Sequence, residues 1–518
     1  KCKADVFTSV AKLEVLLLKE IQELENIEKY IEAEEFRITE LKRISRSIKM
    51  MNPVNTSRDR EMYITHPINA FHLVRRAAFE WDYMYALLND HSPHERFTND
   101  TTHVEIGDND YIGSIDALLR IQSVYELNTS DMALGKISGR RSIEHVSAEE
   151  CIDIARVSAE SPLIPNAAEI SGIWAKEALL HNPSTLDRYE AMLIQAESLK
   201  RIGRIKESML IANRTTRLQI ANNIDLYKDF DARWDAIGNQ TSNDHGSDKD
   251  HEPRGNHNPI NEEQWLEDEY RSLCRGETKK TPLESKGLIC QYRKGAYAYA
   301  VFKEEILHTD PLIAMFHDVI TDEEVALLKQ LSLPNLDRAR VGDDEFSDIR
   351  ISQVSWIADE DDPRVSRLTR RIKHVTGLET ETDNILLPNA EDFQVLNYGM
   401  GGHYEVHFDF NKEDEGGGNI SEHIRLSGDR LATFLFYLND VEAGGATVFP
   451  RAKVRVPPVK NAAAFWFNCK RSGEFDYRSL HAGCPVIVGQ KWVANKWILE
   501  KGQIFARPCG LSPSTRDV

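Results

Sequence analysis

The stretch Gln394-Val-Leu-Asn-Tyr-Gly-Met-Gly-Gly-His-Tyr-Glu-Val-His-Phe-Asp-Phe410 constrains this chain more than any other. Its apolar residues, with Tyr398, Tyr404, Phe408 and Phe410, favour a strand over a helix. Residues i and i+2 of a strand face one side. The spacing therefore predicts that His407 and Asp409 project together while Phe408 turns away. An imidazole nitrogen beside a carboxylate oxygen is half of a divalent metal site. A 2-His-1-carboxylate triad needs one more His and leaves positions open for a co-substrate and oxygen.

His481 is the candidate for that third place. It is read as opening a strand of the form Pro485-Val-Ile-Val488, followed by the turn Gly489-Gln490, and the next strand opens on Lys491. A sheet folded back on itself sets His481 beside His407 and Asp409, with Lys491 deeper in the same cavity. A buried ammonium requires an anion, and a metal-chelating dicarboxylate would supply one.

Together, His407-x-Asp409, Gly444-Gly-Ala-Thr-Val-Phe-Pro450, His481 and Lys491-Trp-Val-Ala-Asn-Lys-Trp497 resemble the alpha subunits of collagen prolyl 4-hydroxylases, Fe(II)/2-oxoglutarate dioxygenases. The resemblance covers nearly the whole chain and is strongest from about Asp310 onward. It implies that His407, Asp409 and His481 hold Fe(II). Lys491 would pair with the distal carboxylate of 2-oxoglutarate, with Tyr398 and Thr433 hydrogen-bonding to it. Tyr404 and Trp497 would line a proline pocket, and Arg350, Ser352 and Glu391 would contact the peptide backbone. The implied reaction hydroxylates peptidyl proline at C4 and converts 2-oxoglutarate and oxygen to succinate and carbon dioxide. Ascorbate would rescue oxidised iron, and protein disulfide isomerase would serve as the beta subunit. One departure stands out: the family carries a His two residues beyond the last Trp, and Leu499 occupies that position here.

The chain has 518 residues, 41% hydrophobic and 28% charged, enough for two to four domains. Its formal net charge of -19 argues against nucleic acid or an anionic membrane surface as partner, and no apolar run approaches a membrane span. The reading divides it into a helical dimerisation region (1–140), a tetratricopeptide-like peptide-substrate-binding domain (141–237), a polar linker (238–262) and a catalytic domain (263–518). In the first, Leu17, Ile21, Leu24, Ile31, Ile38 and Leu41 recur at spacings of a coiled-coil or amphipathic seam, and the resemblance points to dimerisation. A second helix is expected over His66–Trp81. In the next region, Ser147-Ala-Glu-Glu150 has the capping-box form, and helices over Asp187–Leu199 and Ile205–Leu218 flank a Gly turn. Tyr189 is the tyrosine that remains there, where the family's groove is rich in tyrosines that stack on proline. The catalytic domain is expected to open with one helix near Thr321 and continue as strands. The resemblance makes it a double-stranded β-helix, or jelly roll. Lys412–Asn419, acidic and Gly-rich, reads as a lid or a solvated loop.

Two features favour the secretory route, and the resemblance, through protein disulfide isomerase, implies the lumen of the endoplasmic reticulum. Asn-x-Ser/Thr sequons begin at Asn55, Asn99, Asn128, Asn213, Asn239 and Asn419. Of seven cysteines, Cys274 and Cys290 flank one short loop, and Cys484 and Cys509 flank another stretch. The family is expected to pair these positions, leaving Cys2, Cys151 and Cys469 as thiols. A removed signal peptide would account for an opening of Lys1-Cys2-Lys3. Leu499 and the tyrosine-poor helical domain keep two alternatives open. One is a weakly active or inactive binding subunit for proline-rich chains; the other is a hydroxylase of non-collagen secreted peptides.

Overall fold

A computed structural model describes residues 35–51, 56–89, 108–161, 164, 166–222, 262–277, 281, 285–295, 299–338, 351–382, 388–410, 426–510, 512 and 515. The chain forms two compact units, one of Lys1–Tyr63 with Phe71–Ile112 and the other of Ile64–Ala70 with Gly113–Val518. The first is helical, with helices at 35–51 and Trp81–Asn89. In it Phe71 and Phe79 pack on Tyr111, with ring centroids 5.8 and 4.8 Å away. The helix expected over His66–Trp81 is present as Pro67–Arg75 continued by a π-helical turn, Arg76–Glu80. Of the expected seam, Leu17 to Ile31 lie outside the described residues, as do the linker residues 238–261 and the stretch Lys412–Asn419.

The second unit begins with helices and ends with sheets. A two-residue hairpin, β1 (Lys136–Ile137) and β2 (Arg140–Arg141), precedes four helices: Ala148–Glu160, Ala167–Ala178, Thr185–Arg201 and Ile205–Asn222. Each packs on the next. The capping box is formed: Ser147 Oγ accepts from the Glu150 amide, and the Glu150 carboxylate accepts from that of Ser147. Gly203, at φ +78°, turns the chain between the last two helices, a conformation that L side chains rarely adopt. The aromatic residues of 148–222, Trp174 and Tyr189, are 0% and 3% exposed. Their rings therefore belong to the interior of the helix stack.

Fifteen strands follow: β3 (Cys290–Lys294), β4 (Val301–Thr309), β5 (Leu312–His317), β6 (Asp337–Arg338), β7 (Gln353–Ile357), β8 (Phe393–Tyr398), β9 (Tyr404–His407), β10 (Arg430–Tyr437), β11 (Ala443–Gly444), β12 (Thr447–Phe449), β13 (Val454–Val456), β14 (Ala463–Phe467), β15 (His481–Gly483), β16 (Val486–Val488) and β17 (Lys491–Leu499). Nine form one sheet in the order β3-β4-β5-β14-β10-β17-β8-β7-β6, four form a second in the order β13-β12-β15-β9, and β11 pairs with β16. Strand alternation divides the large sheet's side chains. Phe393, Val395, Phe434, Phe436 and Ala494 face a core shared with Val325, Leu328, Leu368 and Ile372 from two helices. Leu396, Leu435, Trp466 and Val493 face Phe449, Val454 and Val456 of the small sheet.

Among the described residues three α-helices accompany these sheets where the sequence reading expects one. Asp322–Ser332 is the expected helix, capped by Thr321 and Glu324. Glu262–Arg275 and Pro363–Thr376 are additional. The disulfides also need correction. Cys274 is joined to Cys484, not to Cys290, and Cys290 and Cys509 are exposed thiols. Cys274 lies in the last turn of the helix Glu262–Arg275, which packs with Val124, Ala446, Val448 and Ala482 in a small apolar core. That packing brings Cys274 and Cys484 to a Cα separation of 5.6 Å, within bonding reach. Cys151 and Cys469 are buried thiols, and burial pushes the Cys469 thiol up to about 12.

Candidate active site

The small sheet brings the metal ligands together by register. His481 opens β15 directly opposite His407, the last residue of β9. A tight turn aims β9: Gly401 has φ +62°, and a Cβ there would meet the Ala117 Cβ at 2.7 Å. The Gly401 amide donates to Val486 O. The strand ends at His407, so alternation stops there. Asp409 returns to the cluster through a bend, and Phe408 also lines the pocket instead of turning away. His407, Asp409 and His481 each offer one donor atom, all within 4.8 Å of one another. His407 Nε2 lies 3.8 Å from Asp409 Oδ1, and His481 Nε2 lies 3.6 Å from Asp409 Oδ2.

Backbone carbonyls hold both rings. His407 Nδ1 lies 2.7 Å from Glu405 O, and His481 Nδ1 lies 2.9 Å from Ser479 O. Each Nδ1–H donates to its carbonyl, so each Nε2 lone pair is available to a metal. Asp409 is 5% exposed. Burial alone would raise its pKa, but the His481 and His407 imidazoles, the Thr433 hydroxyl and Arg430 together hold it below the usual value. A charged carboxylate and two oriented imidazoles fit Fe(II).

Lys491, Val493, Asn495 and Trp497 line the pocket as alternate residues of β17, and Gln394, Leu396 and Tyr398 do so on β8. Lys491 is 4% exposed, and its Nζ lies 3.4 Å from Thr447 Oγ1. Burial pulls its pKa down to about 7, with no anionic side chain acting on it among the described residues. A buried cation without an anion fits the distal carboxylate of 2-oxoglutarate. Tyr398 lies opposite Lys491 in register, its ring centroid 5.6 Å from the ammonium.

Thr433 does not share this end of the pocket. Its Oγ1 donates to Asp409 Oδ2 at 2.5 Å and accepts from Asn468 Nδ2 at 3.0 Å. The hydroxyl beside Lys491 belongs to Thr447, within the Gly444–Pro450 motif, and Tyr437 OH donates to it at 2.9 Å. Thr433 therefore orients the metal carboxylate, and Thr447 takes the place next to the buried ammonium.

Tyr404 and Trp497 line the pocket as expected. Tyr404 stacks on His407 with centroids 3.6 Å apart. Arg430 is a wall residue that the sequence reading omitted. Its guanidinium lies 3.7 Å from the Trp497 centroid, makes bonds of 2.6 and 2.9 Å to the Glu391 carboxylate, and donates to Asp409 O at 3.3 Å. Burial disfavours its charge, yet Glu391, Asp409 and Asp429 hold its pKa above the usual value. Glu391 is thus engaged by Arg430, outside the pocket lining. Ser352 is buried, with its Oγ lacking a hydrogen-bond partner among the described residues, and Arg350 lies outside them. Leu499 continues the row of Trp497 but ends β17, 1% exposed, off the pocket wall. Of the sequons, Asn128 and Asn213 are described, and both are exposed.

Arg430→Met should strand the half-buried Glu391 carboxylate. The expected cost is about 2–3 kcal/mol of stability, read as a lower midpoint in chemical denaturation, and a loss of at least about tenfold in kcat/KM.

A family model described as Prolyl 4-Hydroxylase alpha-subunit, N-terminal region, matches residues 9–139, and one described as 2OG-Fe(II) oxygenase superfamily matches residues 393–499. The chain is 34% identical over 530 residues to prolyl 4-hydroxylase subunit alpha-1 of Rattus norvegicus, covering 98% of this chain and 96% of the relative. It is 33% identical over 537 residues to prolyl 4-hydroxylase subunit alpha-2 of Caenorhabditis elegans, covering 99% and 95%. Among solved structures, a viral collagen prolyl hydroxylase from Paramecium Bursaria Chlorella virus-1 aligns with a TM-score of 0.29 at 24% identity, over 36% of this chain and 95% of its own. So loose a superposition adds nothing to the assignment.

Proposed function

The chain belongs to the prolyl 4-hydroxylase alpha-subunit family, and on that footing we propose that it hydroxylates proline in collagen-like chains of the endoplasmic reticulum. It is an Fe(II)/2-oxoglutarate-dependent prolyl 4-hydroxylase. The observation that carries the reading is the His407, Asp409 and His481 cluster in one cavity with the buried Lys491, which faces no anion among the described residues. When bound, Fe(II) with 2-oxoglutarate and oxygen supplies the oxidant that places a hydroxyl on C4 of proline, leaving succinate and carbon dioxide. His407, Asp409 and His481 would hold the metal, the residue set of a facial triad. Lys491 and Thr447 anchor the co-substrate's far carboxylate. Tyr404 and Trp497 present aromatic faces to an apolar proline ring, and the surrounding apolar wall excludes water.

We infer a finer reading, which family membership supports. The strand-rich domain is taken as a jelly roll, supported by two facing sheets, and the four-helix stack as tetratricopeptide-like. The amino-terminal helices pair two alpha subunits, and protein disulfide isomerase is the beta subunit that keeps the enzyme in the lumen. Ascorbate is the reductant, and Asn128 and Asn213 are exposed glycan acceptors.

The test co-expresses the chain with protein disulfide isomerase and supplies Fe(II), 2-oxoglutarate, ascorbate and a Pro-Pro-Gly repeat peptide. The readout is 4-hydroxyproline by mass spectrometry, with His407→Ala alongside. Product that vanishes in His407→Ala is expected. Succinate without hydroxyproline would direct the substrate away from collagen-like repeats. Neither product, from folded protein that binds iron, would move the assignment to a binding subunit.

A further inference from the structure

The wall of the iron pocket continues outward as a set of packed rings. Phe408 and Phe410, both lining the pocket, stack at 4.7 Å. Phe410 stacks in turn on Phe475 at 4.3 Å with the planes 7° apart. Tyr477 stands edge-on to Phe408 and Phe410, at 5.5 and 5.7 Å. Phe410 is buried and Phe408 and Phe475 are half-buried, but Tyr477 is 49% exposed. It is the ring of this cluster most open to solvent.

That ring stands on a fixed support. Tyr477 begins the 3-10 turn Tyr477–Ser479, capped by Asp476, whose carboxylate accepts from the Arg478 amide and guanidinium. Arg451 Nη1 donates to Tyr477 O at 3.1 Å, and its Nη2 reaches Glu262 at 2.8 Å. The same turn presents Ser479 O to His481 Nδ1. Backbone that orients a metal ligand therefore also places Tyr477. The helix stack, by contrast, keeps its two aromatic rings, Trp174 and Tyr189, inside.

Proline-rich chains in the polyproline II form dock on aromatic-lined grooves, and tyrosine offers a large face at small entropic cost. We propose that Tyr477 is a second aromatic subsite, which binds a proline ring flanking the one that reacts. The proposal rests on the prolyl hydroxylase reading of the iron pocket and adds a determinant of which sequences it accepts.

The test compares a Pro-Pro-Gly repeat peptide with peptides in which the proline flanking the target, on one side or the other, is alanine. Two readouts are taken: kcat and KM separately, and equilibrium binding of fluorescein-labelled peptide in the absence of oxygen. For the unsubstituted protein, one of the alanine peptides is expected to bind about fivefold more weakly. Tyr477→Ala should bind the all-proline peptide that weakly and become indifferent to the same replacement, and Tyr477→Phe should retain the preference. Tyr477→Leu keeps apolar packing on Phe408 and Phe410 without the ring and should match Tyr477→Ala. Binding of 2-oxoglutarate by each variant monitors the fold. The proposal is overturned if the unsubstituted protein ignores the flanking prolines. It is equally overturned if Tyr477→Ala and Tyr477→Leu keep the preference, or if they lose affinity for every peptide alike. A protein that binds these peptides and never hydroxylates them counts against the enzymatic reading, and the binding comparison still decides the subsite.

Discussion

Lys491→Met is expected to raise the KM for 2-oxoglutarate roughly 100-fold or more, because it removes the charged partner of a buried carboxylate, worth about 3 kcal/mol. The same substitution should stabilise the ligand-free protein. Burial holds the folded pKa of Lys491 at about 7, whereas a lysine in the unfolded chain titrates near 10.4. Between those values the unfolded state binds the extra proton, so the penalty shrinks as pH rises from 7 toward 10. Below pH 7 both states carry the charge, and the penalty is complete. Methionine is of similar length and carries no charge. At pH 7 its variant should melt at a higher temperature without ligand, and 2-oxoglutarate should no longer shift that temperature. A carboxylate brought against Lys491 raises the ammonium pKa. At pH 8 the unsubstituted protein should therefore take up close to one proton on binding 2-oxoglutarate. Calorimetry in two buffers of different ionisation heat reads this directly. Unchanged proton uptake in Lys491→Met would assign the titration to another group.

The ligands were legible because they depend on short-range rules. His407-x-Asp409 lies at the end of a strand, His481 opens β15 and Lys491 opens β17, and Gly489 at φ +101° turns the chain from β16 into β17. Counting by two from Lys491 reaches Asn495 and Trp497, and from Tyr398 it reaches Gln394; all five line the pocket wall. The placement of Thr433 beside Asp409 and of Thr447 beside Lys491 was not legible, because it needs the register between strands. β10 shifts register against β17 between Arg430 and Ala432, and Thr447 faces Lys491 from the other sheet. The pairing of Cys274 with Cys484 spans 210 residues, and no local spacing encodes it. The helix Pro363–Thr376 had signals in plain sight: Asp362 as N-cap, Pro363 in the first turn and Gly377 at φ +79° after the last. The pull of a strand-rich domain outweighed them. The aromatic-poor helix stack, read from composition, proved poorer still at its surface, since Tyr189 is buried.

Asp409→Ala should abolish 4-hydroxyproline formation, by at least about 1,000-fold, and Fe(II) should no longer raise the melting temperature, since binding only to the folded state is what stabilises it. The carboxylate is the sole anion of the cluster. Without it, two imidazoles would face an iron(II) charge that no protein ligand offsets. Thr433→Val is the more informative companion. It deletes the hydroxyl that donates to Asp409 Oδ2 and accepts from Asn468 Nδ2, leaving a metal-binding oxygen free to rotate. Such losses typically weaken metal binding by about 10-fold or more. The expected pattern is a weaker iron affinity with the 2-oxoglutarate KM unchanged at saturating iron, whereas Thr447→Val should raise that KM and spare the metal. The reverse pattern would return Thr433 to the co-substrate contact that the family resemblance implied. It would also mean that the bond to Asp409 gives way when ligand enters.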